Sequence, residues 1–200
     1  LVDAAVAINQ PDAKRMLAYS SVAQVGYMVL GLSLATVTGL TAALLHLLNH
    51  ALMKGALFLA LGCITYRIGS TAVTSLAGLG RAMPWTMAAF VAGGLSLIGV
   101  PLTVGFISKW YLVLGALEAG HWALVAVIVG SSLLAVAYIW RLVEVAYFQG
   151  PAPDGVREAP WSLLLPTWVL VAANVWLGVD TRVSIGLAGQ AARALMGAAP

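Results

Sequence analysis

From Trp85 to Leu117 the sequence carries a single charge, Lys109, and no other stretch restricts the possible folds so strongly. It exceeds the roughly 20 apolar residues that cross a bilayer. It also contains Pro101 and Gly105, residue types that interrupt helices. A break at 101–109 is therefore expected, dividing the stretch into two half-length pieces. Similar apolar runs fill the rest of the chain, and spans are expected at about 16–35, 40–66, 85–117, 122–147 and 161–178. Leu1 to Asn9 reads as the end of a preceding helix. Composition points the same way: 62% of residues are hydrophobic and 8% charged, against about 25% charged in a typical soluble domain. Such a chain cannot cover a water-facing surface. The expected fold is all-α, a polytopic transmembrane helical bundle forming one domain over 1–200.

The connections are short and polar. "NQPDAKR" (Asn9 to Arg15) reads as a turn with Asp12 as the N-cap of the next helix. "TVTG" (Thr36 to Gly39) joins the first two spans. Tyr66 to Pro84 is a loop whose final proline suits the first position of a helix. Gln149 to Pro160 is an exposed loop by its Pro, Gly and charge content. The 40–66 span is long enough to be tilted or to protrude. Ser20, Ser21, Gly26 and Gly31 suit close helix packing in lipid. Trp85, Trp110, Trp122, Tyr147 and Trp161 read as interfacial aromatics, and the 181–200 tail as an amphipathic surface helix with Arg182 and Arg193 on its wet side. Lys14, Arg15, Arg67, Arg81 and Arg157 fall on one side of this arrangement, which the positive-inside bias assigns to the cytoplasm. The C-terminus is then outside, and the expected location is the inner (cytoplasmic) membrane. The chain begins with Leu1 and nothing near it resembles a signal peptide, so it reads as the C-terminal piece of a longer protein.

Lys109 is the first candidate for chemistry. A charge near the bilayer centre costs roughly 2.5–3.5 kcal/mol on insertion scales, so a lysine there is poised to take up and release a proton. Unwound backbone at membrane depth is tolerated where it is buried in protein or lines a wet cavity, which makes Pro101 and Gly105 the expected helix break opening a pocket for Lys109. The alternatives are a lysine that snorkels to an interface or one paired only to join two helices. The second candidate is "HLLNHALMK". His46, His50 and Lys54 stand at i, i+4 and i+8, on one helix face about 6 Å apart per step. Such a row outlines a proton relay, with helix-to-helix hydrogen bonding as the alternative. Arg141 and Glu144, at i and i+3, suit a salt bridge, with a place at a channel mouth as the second reading. Ser131 and Ser132 either pack or line water, and Tyr19, Ser20 and Ser21 are weaker candidates for polarising a cavity.

The sequence shows no Gly-rich nucleotide loop, no CxxC, no evident pair of facing haem histidines, and no nucleophile beside a base. Its single cysteine, Cys63, excludes an internal disulfide and a cysteine-based metal site, and reads as a small apolar residue on a helix. No cofactor, resident metal, catalytic residue or nucleic-acid partner is expected. The chemistry on offer is proton or cation movement.

Three segments then carry a resemblance: "DAKRMLAYSSVAQVGYMVLGL", "HLLNHALMKGALFLALG" and "LSLIGVPLTVGFISKWYLVLGALEAG". Together they resemble the antiporter-like membrane subunit family. That family includes the proton-pumping membrane subunits of NADH–quinone oxidoreductase (complex I), the A-type and D-type subunits of the Mrp Na+/H+ antiporter, and related hydrogenase subunits. "GFISKWYL" and "NHALMKGALFLALG" are most like the D-type branch of Mrp. The resemblance implies a fourteen-helix fold of two inverted five-helix repeats, of which this chain holds nearly all of the second. It matches Lys109 to the titratable residue at the break of the discontinuous twelfth helix, where some members carry glutamate. It matches His46, His50 and Lys54 to the polar axis of the eleventh helix. The implied function is proton translocation within a multisubunit cation/proton antiporter, with other membrane subunits and the bilayer as partners. A complex I or hydrogenase subunit is the first alternative and a non-conducting structural subunit the second. H+ is the expected ion, since no carboxylate suited to Na+ is placed at mid-membrane; Na+ enters as the exchanged ion of an antiporter.

Overall fold

A computed structural model describes residues 2–151 and 154–197. Leu1, residues 152–153 of the 149–160 loop and residues 198–200 of the expected tail helix lie outside the described residues. Helix α1 (Val2–Ile8) leads through a polar turn into α2 (Ala13–Ser33). Asp12 opens α2 as expected, its side chain accepting from the Arg15 amide at 2.9 Å. Helix α3 (Val37–Ile68) begins at Thr36, whose hydroxyl oxygen accepts from the Gly39 amide. Its 32 residues make it about 48 Å long at 1.5 Å per residue, longer than a bilayer core, as the sequence suggests.

A 3-10 turn (Val73–Leu76) and a short α4 (Leu79–Ala82) precede α5 (Pro84–Ile98), with Pro84 at the first helical position. After an interruption come α6 (Val104–Glu118), α7 (Trp122–Phe148), α8 (Trp161–Val179) and α9 (Arg182–Leu195). Among the described residues α2, α3, α7 and α8 are each long and apolar enough to cross a membrane. The 15-residue α5 and α6 are each about 22 Å long and supply the discontinuous span. Helix α3 is the central pillar, with α2, α5, α6, α8 and α9 packed around it. The largest apolar core lies between α3, α5 and α7, around Met53, Leu57, Phe90, Leu97, Tyr138 and Leu142.

The interruption spans Gly99–Thr103 rather than 101–109. Helix α5 stops at Gly99, whose φ of +93° is open to glycine, and Pro101 lies just beyond. Leu102 also takes a positive φ, +73°, a strained setting for a residue with a side chain. Gly105 is therefore not part of the break: it sits in the first turn of α6, and Lys109 one turn further on. Its use is steric. A Cβ at Gly105 would stand 1.8 Å from the Ser96 carbonyl oxygen, so only a glycine lets α6 approach the end of α5 this closely.

Both faces of the bundle follow from its turns. Ala13 donates to the Thr71 carbonyl at 2.7 Å, and Arg67 to the Glu158 carbonyl at 2.9 Å. The Glu158 carboxylate accepts from the Trp85 amide at 2.7 Å. The starts of α2, α5 and α8 and the end of α3 thus share one end, where Lys14 and Arg15 in the first turn of α2, Arg67 in the last turn of α3, Arg81 of α4 and Arg157 of the following loop gather. On α9, Ser184, Ala188 and Ala192 are buried while Arg182 and Arg193 are exposed, an amphipathic helix laid against α3. Two smaller expectations change. Gly26 is exposed and meets no neighbouring helix among the described residues. Trp110 is exposed midway along α6 rather than at a helix end, and Tyr147 is half-buried beneath Gly80.

Candidate functional site

The polar residues of α3 form a row inside the bundle. His46 is fully buried and Asn49 and Lys54 nearly so, while His50 is half-buried. The imidazoles of His46 and His50 stack with centroids 6.3 Å apart and planes 9° from parallel. This is the spacing the i, i+4 pattern requires. Both ring nitrogens of His46 are engaged: Nε2 with Gln24 Oε1 of α2 at 3.0 Å, and Nδ1 with Ser108 Oγ of α6 at 2.8 Å. A neutral imidazole carries one N–H, so with Gln24 Oε1 accepting, the network assigns the proton to Nε2 and the Ser108 hydroxyl donates to Nδ1. His50 Nε2 and Asn49 Oδ1 are buried without a hydrogen-bond partner among the described residues. The other side of the Asn49 amide donates to the Val104 carbonyl at 2.8 Å, at the start of α6.

The two lysines close the row at opposite ends. Lys54 Nζ donates to the Leu17 carbonyl at 2.7 Å and also to the Ser20 hydroxyl of α2. Lys109 Nζ donates to the Leu97 and Ile98 carbonyls at 2.9 and 2.8 Å. Those two oxygens belong to the last turn of α5, where carbonyls lack intrahelical partners and the helix dipole favours a cation. The interrupted span therefore brings a helix C-terminus into the bundle and Lys109 caps it. Among the described residues neither lysine lies within ion-pair distance of a carboxylate. The only ion pair among the described residues is Asp180–Arg182, 2.7 Å apart and beside the exposed face of α9.

Helix α8 backs the break. Ser96 Oγ donates to Asn174 Oδ1 at 3.0 Å, and Asn174 Nδ2 donates to the Leu170 carbonyl at 2.8 Å. Gly178 rests against the Leu102–Thr103 backbone, where an added Cβ would come within 2.5 Å of the Thr103 carbonyl carbon.

Pro101 lies in the break, His46, His50 and Lys54 follow one another along one face of α3, and Lys109 approaches His46 from α6 across the Tyr27 ring without a hydrogen bond between them, whereas Gly105 belongs to the adjoining helix. Arg141 and Glu144 stand apart from it. No salt bridge joins them: Arg141 Nη1 donates instead to the Ile8 and Gln10 carbonyls at the end of α1, at 2.9 Å for Gln10. Glu144 is exposed, and both line a cavity of about 440 Å³ with Pro11, Val73 and Gln149. Sequence reasoning missed Gln24, Tyr27, Ser96, Ser108 and Asn174. The α2 residues had a readable signal. Ser20, Gln24 and Tyr27 recur at i, i+4 and i+7, and all three are buried on a helix whose Val22, Val25 and Val29 are exposed.

Residues 1–135 match a family described as "NADH:quinone oxidoreductase/Mrp antiporter, TM". Among curated relatives, the chain is 51% identical over 188 residues to the N-type subunit of NADH-quinone oxidoreductase from Desulforudis audaxviator, covering 87% of this chain and 38% of that protein. It is 33% identical over 174 residues to the D-type subunit of the Na(+)/H(+) antiporter from Alkalihalophilus pseudofirmus, covering 86% and 35%. Among solved structures, a chain of the Mrp complex from Dietzia sp. superposes with a TM-score of 0.92 at 28% identity, covering 98% of this chain and 45% of that one. A chain of respiratory complex I from Thermus thermophilus superposes with a TM-score of 0.76 at 29% identity, covering 92% and 42%. The chain thus spans less than half the length of these relatives.

Proposed function

The chain belongs to the NADH:quinone oxidoreductase/Mrp antiporter membrane family, and from that premise we propose that it is the proton-conducting second repeat of a larger antiporter-like subunit. The observation that carries this reading is the buried row from Lys54 through His50 and His46 to Ser108, beside Lys109 at the interrupted helix. Each member can hold an exchangeable proton, and among the described residues no carboxylate lies within ion-pair distance of any of them. In this reading His46, His50 and Lys54 relay protons and Lys109 is the group whose loading and release gates passage. The Pro101 break serves it by presenting the carbonyls that hold the ammonium. Arg141 and Glu144, beside their cavity at the basic end, are proposed to lie at a channel mouth.

The antiporter assignment, to a protein like the D-type subunit of Mrp, draws support from the fit to the Mrp complex chain and from the antiporter relative. The partners are then other membrane subunits, the cargo H+ in exchange for Na+, and the location the inner membrane. The clustering of Lys14, Arg15, Arg67, Arg81 and Arg157 at one end supports a cytoplasmic face there and a C-terminus outside. A second reading, a proton-pumping subunit of NADH-quinone oxidoreductase, has its own observation in the 51% identity to an N-type subunit. One experiment separates them. In inverted vesicles holding the full-length protein in its complex, internal pH is followed by a dye during addition of Na+ and then of NADH. A pH change evoked by Na+ supports the antiporter. A change driven by NADH and indifferent to Na+ moves the assignment to the respiratory pump, and no change with either contradicts both.

A further inference from the structure

Lys109 has three N–H groups, and the two carbonyls of α5 account for two of them. The remaining direction is covered by Tyr27 of α2, whose ring centroid lies 5.4 Å from Nζ. The same ring meets His46 edge-on, with centroids 5.3 Å apart and planes at 69°. Its hydroxyl donates to the Ile128 carbonyl of α7 at 3.2 Å, which fixes the ring's orientation from a third helix. Tyr27 is 3% exposed, so the contact is desolvated, and an aromatic face attracts a cation most strongly in such a setting. The other lysine of the row repeats the arrangement more weakly. Lys54 has two oxygen acceptors and the Phe58 ring at 5.9 Å, but Phe58 is 38% exposed.

We infer that Tyr27 is a positioning residue for proton transfer, its aromatic face serving as the neutral counter-group of the Lys109 ammonium and its ring linking that ammonium to His46. This rests on the proposed role of Lys109. The chemistry favours a ring over a carboxylate. A carboxylate in a dry site would lock the ammonium in its charged form, whereas a quadrupole attracts the cation, binds no proton itself, and releases the neutral amine. Among the described residues α5 offers Lys109 only carbonyls, and no carboxylate lies within ion-pair distance. His46 is the titratable neighbour from α3. When Lys109 gives up its proton, the ring loses its attraction for Nζ while its contact with His46 persists, so the pair is coupled through one rigid group.

The test is a graded series at position 27 in the full-length protein within its complex, assayed as dye-reported proton flux per assembled complex. Tyr27→Phe loses the bond to Ile128 but keeps the ring in its buried packing; flux within about twofold of wild type is expected, and loss of flux in an assembled Tyr27→Phe complex assigns the role to the hydroxyl and overturns that of the ring. Phenylalanines carrying one, two and three ring fluorines keep the shape and progressively cancel the quadrupole. Flux should fall stepwise, to about fivefold to tenfold below Tyr27→Phe at the third fluorine. A flat series, with Lys109→Ala inactive beside it, overturns the role of Tyr27 and leaves that of Lys109 standing. Normal flux in Lys109→Ala overturns both. The fluorinated side chains are nearly isosteric, so the series stays decisive even where a cruder change such as Tyr27→Leu prevents assembly.

Discussion

Gly105 and His46 show how little freedom the interior allows at the level of single residues. A methyl group at Gly105 would overlap the Ser96 carbonyl, so Gly105→Ala must separate α6 from the end of α5 and carry Lys109 away from its two carbonyls. Overpacking of this kind costs about 1–3 kcal/mol. A lower melting temperature of the purified complex and a loss of proton flux are expected together, and wild-type values in both would contradict the packing described. Gln24→Leu makes a complementary case. It leaves His46 Nε2 buried without its acceptor, a deficit worth about 1–3 kcal/mol, while leaving the Ser108 bond in place. Flux should fall well below wild type and recover in Gln24→Asn only if the shorter amide still reaches the ring. His46, His50 and Lys54 were legible from spacing, because i+4 repeats survive any helix packing, and Lys109 from being the single charge in a long apolar stretch. Gln24 and Ser108 were not, because which helix faces His46 is decided by tertiary contacts.

Helix ends carry the next level. Asp12 caps α2, and its carboxyl lies below its ordinary value. Burial alone would raise it, but the Thr71 hydroxyl, the Arg15 and Lys14 amides and the Arg15 charge together outweigh that effect. A carboxyl lowered on folding stabilises the fold above its unfolded value, and that contribution disappears as pH falls through the folded one. Asp12→Ala should therefore lower stability by about 0.5–2 kcal/mol near neutral pH and by progressively less in acid. A melting-temperature difference from wild type that stays constant down to strongly acid pH would contradict this. At the other cap, Glu158 binds the first amides of α5, and Glu158→Ala should speed hydrogen exchange at Trp85 and Thr86 before it affects α7. The interrupted span illustrates what sequence reading can and cannot fix at this scale. Pro101 and the length of the apolar stretch announced a break. Its placement at Gly99–Thr103 depended on Gly105 being used for close approach rather than for turning, and glycine serves both purposes without any local mark.

For the molecule as a whole, α3 runs the length of the bundle with the interrupted span beside it and α8 behind the break. The five basic residues gather at one end, and the exposed valines and leucines of α2, α7 and α8 lie on the outside of the bundle. Orientation is testable directly. In a Cys63→Ala background, a cysteine replacing Arg157 should react with an impermeant maleimide only in inverted vesicles. One replacing Glu118 should react only in right-side-out ones, and the opposite pattern would invert the topology. The long helices α2, α3, α7 and α8 were readable from apolar length, since a bilayer has a fixed thickness. The closeness of α6 to α5, the cap that Lys109 forms and the aromatic ring above it arise only on folding. The proposed proton-carrying role of Lys109 is tested most simply by proton flux per assembled complex in inverted vesicles of Lys109→Ala. Wild-type assembly with flux abolished under either driving ion or substrate is expected; near-normal flux in that variant would contradict a proton-carrying Lys109.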